Sequence, residues 1–204
     1  MSLNGLSVSP TNNHSPNYLL IMLHGWGANA EDLAPLASYL ALPNYEFIFP
    51  NAPFPHPQVP GGLAWYALET QEYQGLSESQ QKLKSWVLSL ESQTGVPLSK
   101  TILGGFSQGG AMSLDVGLNL PLAAIFSLSG YLHFHPQITD SPIPPILIVH
   151  GTQDMVVPIN AARQAKEKLT AIGAKVEYHE FNIGHEISPN VLRILQEFLL
   201  TNNQ

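Results

Sequence analysis

The stretch Gly104-Gly105-Phe106-Ser107-Gln108-Gly109-Gly110 constrains the fold of this 204-residue chain more than any other. It follows the apolar run Thr101-Ile102-Leu103 and opens a segment of helical character that extends to Leu120. A serine at a sharp strand-to-helix turn is held in a strained backbone conformation with its hydroxyl exposed. The positions around it must lack side chains so that strand and helix can approach closely. The stretch therefore asks for a strand that feeds directly into a helix.

The rest of the chain repeats that alternation. Strand-length apolar runs are expected at 19–23, 45–49, 101–106, 123–128, 146–149 and 175–181. The first of these, Leu19-Leu20-Ile21-Met22-Leu23, is apolar throughout, as a strand buried on both faces would be. Helices are expected at 29–40 with Asn29 as cap, and at 80–90, where Leu83, Trp86, Val87 and Leu90 share one face. Two more are expected at 160–172, closed by Gly173, and from Ser188-Pro189 to about Leu200. Residues 51–62 are rich in Pro and Gly and read as a loop, and residues 1–16 as an irregular N-terminal segment. There is no internal repeat or linker, so residues 1–204 are expected to form one domain. Strands alternating with helices imply an α/β fold, with a mostly parallel central sheet covered on both faces.

Composition narrows the function classes. The net charge is −7 and Lys plus Arg total only 8, unclustered, so no nucleic-acid partner is expected. No apolar run approaches the roughly eighteen residues of a membrane span, so no stable membrane insertion is expected. The chain has no cysteine, which excludes disulfides and a thiol nucleophile and fits a reducing, cytoplasmic compartment. Residues 1–16 show no basic stretch followed by an apolar one, so no secretory signal is expected.

In parallel sheets ligands bind outside the carboxyl ends of the strands. Ser107 follows one such end. A serine hydroxyl needs a histidine to remove its proton and a carboxylate to orient that histidine. Only four aspartates exist. Asp32 and Asp115 lie within helical segments and Asp140 in a proline-flanked loop, whereas Asp154 follows the run 146–149. Among the histidines, His150 ends that run, His179 lies within a strand, and His133 and His135 form a pair on a surface loop. No carboxylate cluster accompanies that pair, so no metal site is expected. His185 lies in the loop between the last strand and the last helix. The order Ser107, Asp154, His185 is that of α/β-hydrolases. Two backbone donors should complete an oxyanion hole. They are the N–H of Gln108, next to the serine, and the N–H of Trp26 in Leu23-His24-Gly25-Trp26-Gly27.

Together these motifs, with His150-Gly151 through Asp154 to Val156-Val157-Pro158 and Gly184-His185-Glu186, resemble the phospholipase/carboxylesterase family, which includes acyl-protein thioesterases and small bacterial esterases. The resemblance covers nearly the whole chain. It implies a compact α/β-hydrolase without a large cap domain, needing no cofactor and cleaving carboxylic ester or thioester bonds. It supports Ser107, Asp154 and His185 as the triad and Trp26 and Gln108 as the oxyanion donors. It also implies Trp65, in Trp65-Tyr66-Ala67 where the family tends to have Trp-Phe-Asp, as a substrate-pocket wall. Trp26 stands where family members often have an aliphatic residue, and its indole would narrow the pocket mouth.

The leading expectation is therefore a serine carboxylesterase for small to medium acyl chains. A long-chain thioesterase or lysophospholipase shares its chemistry. A non-catalytic binding protein on the same fold is the alternative of another class, and no triad or oxyanion position is damaged as that would require. The partner is a small-molecule ester or thioester. An apolar rim around Leu132 and Phe134 would serve either a homodimer contact or a lipid-facing entrance.

Overall fold

A computed structural model describes residues 3–12, 15–68, 72–136 and 142–202. Among these, seven strands form one sheet: β1 (Gly5–Val8), β2 (Tyr18–Leu23), β3 (Tyr45–Pro50), β6 (Thr101–Phe106), β7 (Ala124–Leu128), β8 (Ile146–Gly151) and β9 (Val176–Phe181). Their spatial order is β1-β3-β2-β6-β7-β8-β9. All neighbours pair in parallel except β1, which runs antiparallel to β3. Between β3 and β6 two short strands, β4 (Phe54–Pro55) and β5 (Leu63–Ala64), pair with each other as a small ribbon.

The central strands bury both faces, so their side chains alternate between two cores. On one face Leu19, Ile21, Leu103, Ile125 and Ile148 meet Leu83, Val87 and Leu90 of α3 (Leu76–Thr94), Met112 of α4 (Gln108–Gly117) and Leu169 of α5 (Ile159–Ala171). On the other, Leu20, Met22, Phe47, Ile102, Phe126 and Leu147 meet Leu195 and Phe198 of α6 (Pro189–Asn202). Leu33 of α1 (Ala30–Leu33) and Leu40 of α2 (Ala37–Leu40) join that second core. Asn29 caps α1, accepting from the N–H groups of Glu31 and Asp32, while Asp32 accepts from the Asn29 N–H. The chain goes from β2 outward to β3 and then returns to the other side of β2 as β6. The crevice at the carboxyl ends of β2 and β6 is thus the topological switch point, where open α/β sheets place their ligands.

Three local expectations are corrected. The segment 1–16 is not wholly irregular: β1 pairs with β3 through Leu6 opposite Phe49. Its side chains are mostly exposed, so hydrogen bonding to an edge holds it, with no apolar alternation to announce it. The segment 29–40 is not one helix, because Pro35 lies in a tighter 3₁₀ turn between α1 and α2. The loop 51–62 contains β4 and leads to β5, a ribbon too short to carry a periodic signal. Among the described residues no helix is long and apolar enough to cross a membrane.

Candidate active site

Ser107 has φ 55° and ψ −118°, a conformation costly for a residue with a Cβ. Packing on every side imposes it. The Ser107 N–H donates to the Leu128 carbonyl at 2.8 Å, tying the turn to the end of β7. A Cβ added at Gly105 would lie 2.5 Å from the Gly109 carbonyl carbon. One added at Gly109 would overlap the Leu23 carbonyl oxygen, so β2, β6 and α4 can meet only through glycine. Gly25 continues that contact, since a Cβ placed there would fall 3.3 Å from the Ser107 Cβ.

Asp154 sits in the turn after β8, buried, and each of its oxygens is used. Oδ1 accepts from the N–H groups of Val156 (2.9 Å) and Val157 (2.8 Å). Oδ2 lies 2.6 Å from His185 Nδ1. Burial alone would raise the Asp154 pKa, but the hydrogen bonds from His185 and from the Val157 and Val156 N–H groups outweigh it and hold the carboxyl below its usual range. An ionised Asp154 accepts a hydrogen bond from the His185 Nδ1–H, which leaves Nε2 as the ring nitrogen with a free lone pair. The ring of Phe106, the residue before Ser107, packs on the His185 imidazole at 4.7 Å between centroids. Asp154 and His185, which follow β8 and β9, are thus hydrogen-bonded to each other, and Ser107, which follows β6, comes directly after the ring that packs on that histidine.

His150 plays the local part that its position at a strand end suggests. Its Nε2 donates to the Val157 carbonyl at 2.8 Å, closing the Asp154 turn from behind. Burial lowers its pKa, only partly offset by that bond, so it stays neutral. His24 has the same character on the other side of the site. Its Nε2 accepts from the Ala52 N–H at 3.0 Å, which places its proton on Nδ1, 2.8 Å from the Gly25 carbonyl. Burial pushes its pKa down as well.

The loop 24–28, which carries the expected donor Trp26, rests on the β4–β5 ribbon. The Gly27 N–H donates to the Leu63 carbonyl (2.9 Å), and the Leu63 N–H donates back to the Ala28 carbonyl (2.9 Å). Gly27 takes φ 81°, which turns the chain after Trp26. The Trp26 indole packs on His56 at 4.0 Å between centroids, and His56 is fixed through Nδ1 by the N–H groups of Gln58 and Val59. Beside Trp26 opens a cavity of about 640 Å³, lined by Trp26, Phe54, Pro55, Ala64, Tyr66 and Ala67 with the polar Gln58, Gln74 and Glu78. Its size is that of a small-ligand site.

Trp65 is not a wall of that cavity. It is fully buried; its indole N–H donates to the His24 carbonyl at 3.0 Å, and the wall residue is its neighbour Tyr66. A step of one residue decides this, and the motif alone could not. His133 also departs from expectation. Its side chain is wholly enclosed, with Nδ1 2.6 Å from Asp115 Oδ2 and the rings of Tyr66, Tyr73 and Tyr131 around it, whereas His135 is exposed as a surface-loop residue should be. Leu132 packs inward against the first core and Phe134 is exposed. Asp140 lies outside the described residues. Sequence reasoning missed the side-chain roles of Gln108, His24, His56 and Phe106. The glycines at 27 and 62, whose backbones approach each other beside His56 and Val59, were the available signal of a tight loop-to-loop contact.

A family model described as Phospholipase/Carboxylesterase matches residues 6–203. The chain belongs to that family. Acyl-protein thioesterase 1 of Eremothecium gossypii is 30% identical over 91% of this chain and 88% of its own length. Lysophospholipase-like protein 1 of Mus musculus is 27% identical over 95% of this chain and 90% of its own. Among solved structures, esterase PE8 superposes with a TM-score of 0.89 at 30% identity, covering 98% of this chain and 99% of that one. Bacillus cereus carboxylesterase, at 16% identity and a TM-score of 0.85 over 98% and 94% of the two chains, shares the fold. This family member is an α/β-hydrolase built on the seven-stranded sheet described above.

Proposed function

We propose that this family member is a serine carboxylesterase for small to medium acyl chains. One observation carries the reading: a buried, ionised Asp154 is bound to His185 Nδ1, and the strained Ser107 follows directly on the ring that packs on that histidine. Ser107 Oγ attacks the ester carbonyl as His185 Nε2 takes its proton. The carbonyl oxygen becomes an oxyanion received by the N–H groups of Trp26 and Gln108, each worth about 3–4 kcal/mol in the transition state. His185 returns the proton to the leaving alcohol, which departs and leaves an acyl-Ser107. Water then attacks, His185 takes a proton from it, and collapse releases the acid and restores Ser107. Every proton and bond balances without a cofactor.

The acyl preference follows from the cavity beside Trp26. Its apolar walls reward each buried methylene by about 0.8 kcal/mol. Gln58, Gln74 and Glu78 also line it, and covering them with alkyl chain costs unmet hydrogen bonds that oppose long substrates. The second reading, a long-chain thioesterase or lysophospholipase, draws on the names of the two curated relatives. A net charge of −7 favours small-molecule partners over nucleic acid, and a cysteine-free chain fits the cytoplasm.

A fluorophosphonate probe tests the mechanism. It should label the protein, and Ser107→Ala should abolish labelling and lower turnover by on the order of 10⁴-fold or more with the thermal midpoint unchanged. A protein that is not labelled would be a binding module. A series of p-nitrophenyl esters and matched thioesters tests the specificity. We expect kcat/KM to peak at short or medium chains, and a continuous rise to long chains would favour the second reading.

A further inference from the structure

Two buried side chains outside the triad join the two oxyanion donors into one unit. Gln108 contributes its N–H to the hole, yet its side chain points away into the protein. There Oε1 accepts from the Trp65 N–H at 2.9 Å and Nε2 donates to the Tyr66 carbonyl at 2.9 Å. The indole of Trp65 then donates to the His24 carbonyl at 3.0 Å. His24 is itself bound at both ring nitrogens, to Gly25 and Ala52, and Trp26 with the second donor follows two residues later. The Trp65 carbonyl accepts from Ser79 Oγ, which fixes the segment to α3. From one donor to the other the path is thus Gln108, Trp65, His24, Trp26. Trp65 and His24 have no exposed surface and Gln108 is 1% exposed, so water cannot replace any of these bonds.

We infer that the side chains of Gln108 and Trp65 are positioning residues that set the distance and direction between the Trp26 and Gln108 N–H groups. The core has no need of these bonds for bulk alone, since a phenyl ring or a thioether would fill much of the same space. An oxyanion hole does need them. Its donors must aim at one oxygen that exists only in the transition state, and a misplacement of about 1 Å costs on the order of 10²-fold in rate. Gln108 and Trp65 side chains therefore act through the donors and touch no substrate. The inference rests on the esterase reading given above.

The test uses the full-length enzyme with an activated ester and its thiono analogue, in which sulfur replaces the carbonyl oxygen. Sulfur accepts poorly from N–H groups, so a well-aimed hole favours the oxo ester over the thiono ester. Trp65→Phe removes only the indole bond, and Gln108→Met removes both side-chain bonds at nearly constant length. We expect each to lower kcat on the oxo ester about 10- to 100-fold while KM changes less than about threefold. The oxo-to-thiono ratio should shrink by a similar factor, which a merely structural loss would not cause. The double variant should lose little more than the worse single one, because both break the same path. Trp86→Phe, which alters another buried tryptophan on α3 outside this path, should leave kcat and the ratio unchanged. Wild-type kcat in Trp65→Phe and Gln108→Met, or a loss of kcat with the ratio intact, would overturn the inference. If Trp65→Phe melts early, Gln108→Met carries the comparison. A wild-type enzyme that turns over neither ester, or escapes fluorophosphonate labelling, would instead sink the esterase reading.

Discussion

The turn that carries Ser107 and the cavity that opens beside Trp26 are built in opposite ways. At the turn the backbone of β2, β6 and α4 is in direct contact, and neither Gly105 nor Gly109 leaves room for a methyl group. Around the cavity the contacts are made by side chains on a two-residue ribbon and the loop beyond it. On the first side there is no freedom to vary geometry without losing the fold. On the second, a changed side chain alters the space and leaves the frame standing. On the proposed reading, reaction chemistry would be held by main-chain packing and substrate selection by replaceable surfaces.

Breaking that contrast should be easiest at its rigid end. Gly109→Ala drives a methyl group into the Leu23 carbonyl, so we expect a loss of about 1–3 kcal/mol or more and little soluble, active protein. A well-folded, active Gly109→Ala variant would show that the turn is less constrained than its packing demands. Trp26→Leu addresses the other side. It keeps the backbone N–H and should leave thermal stability within about 1 kcal/mol, while shifting the best acyl chain longer by some methylenes, each worth about 0.8 kcal/mol. An unchanged chain-length profile would remove Trp26 from the selection surface.

A further effect is expected on stability against pH, and it too belongs to the rigid side. His24 and His150 are buried neutral, with pKa values lowered by burial. Below about pH 6.5 the unfolded chain binds protons at these two positions that the folded protein refuses, so stability falls as the pH drops. Each group contributes at most about 2 kcal/mol of loss by pH 5. Asp154, held ionised, adds a loss of the same sign in a more acidic window, below the ordinary carboxylate range. Urea midpoints at pH 7.5 and pH 5 measure this, and equal midpoints would contradict it.

Much of the site is legible in the sequence because its residues stand at the ends of strands that the apolar pattern marks. Ser107, Asp154 and His185 each follow such a run, and all three expected strands are present. What is not legible shares one cause. The motif around Trp65 points to a pocket wall, yet Trp65 is a buried tie, because a change of one position along the chain exchanges interior for cavity. The loop around His133 reads as surface, yet His133 faces Asp115, on a helix whose placement no local pattern encodes. The edge strand β1 has mostly exposed side chains and owes its position to hydrogen bonds with β3.

By itself, then, the sequence determined which residue types could perform nucleophilic acyl transfer, and the order of strands and helices that would carry them. It did so because hydrophobic period and glycine placement are local properties of the chain. The tertiary structure alone decided that Asp154 meets His185 through Oδ2, that Phe106 packs on that imidazole, and that Trp65 binds both the Gln108 side chain and the His24 carbonyl. Those contacts join segments tens of residues apart, and their directions are fixed only when the whole sheet closes around them.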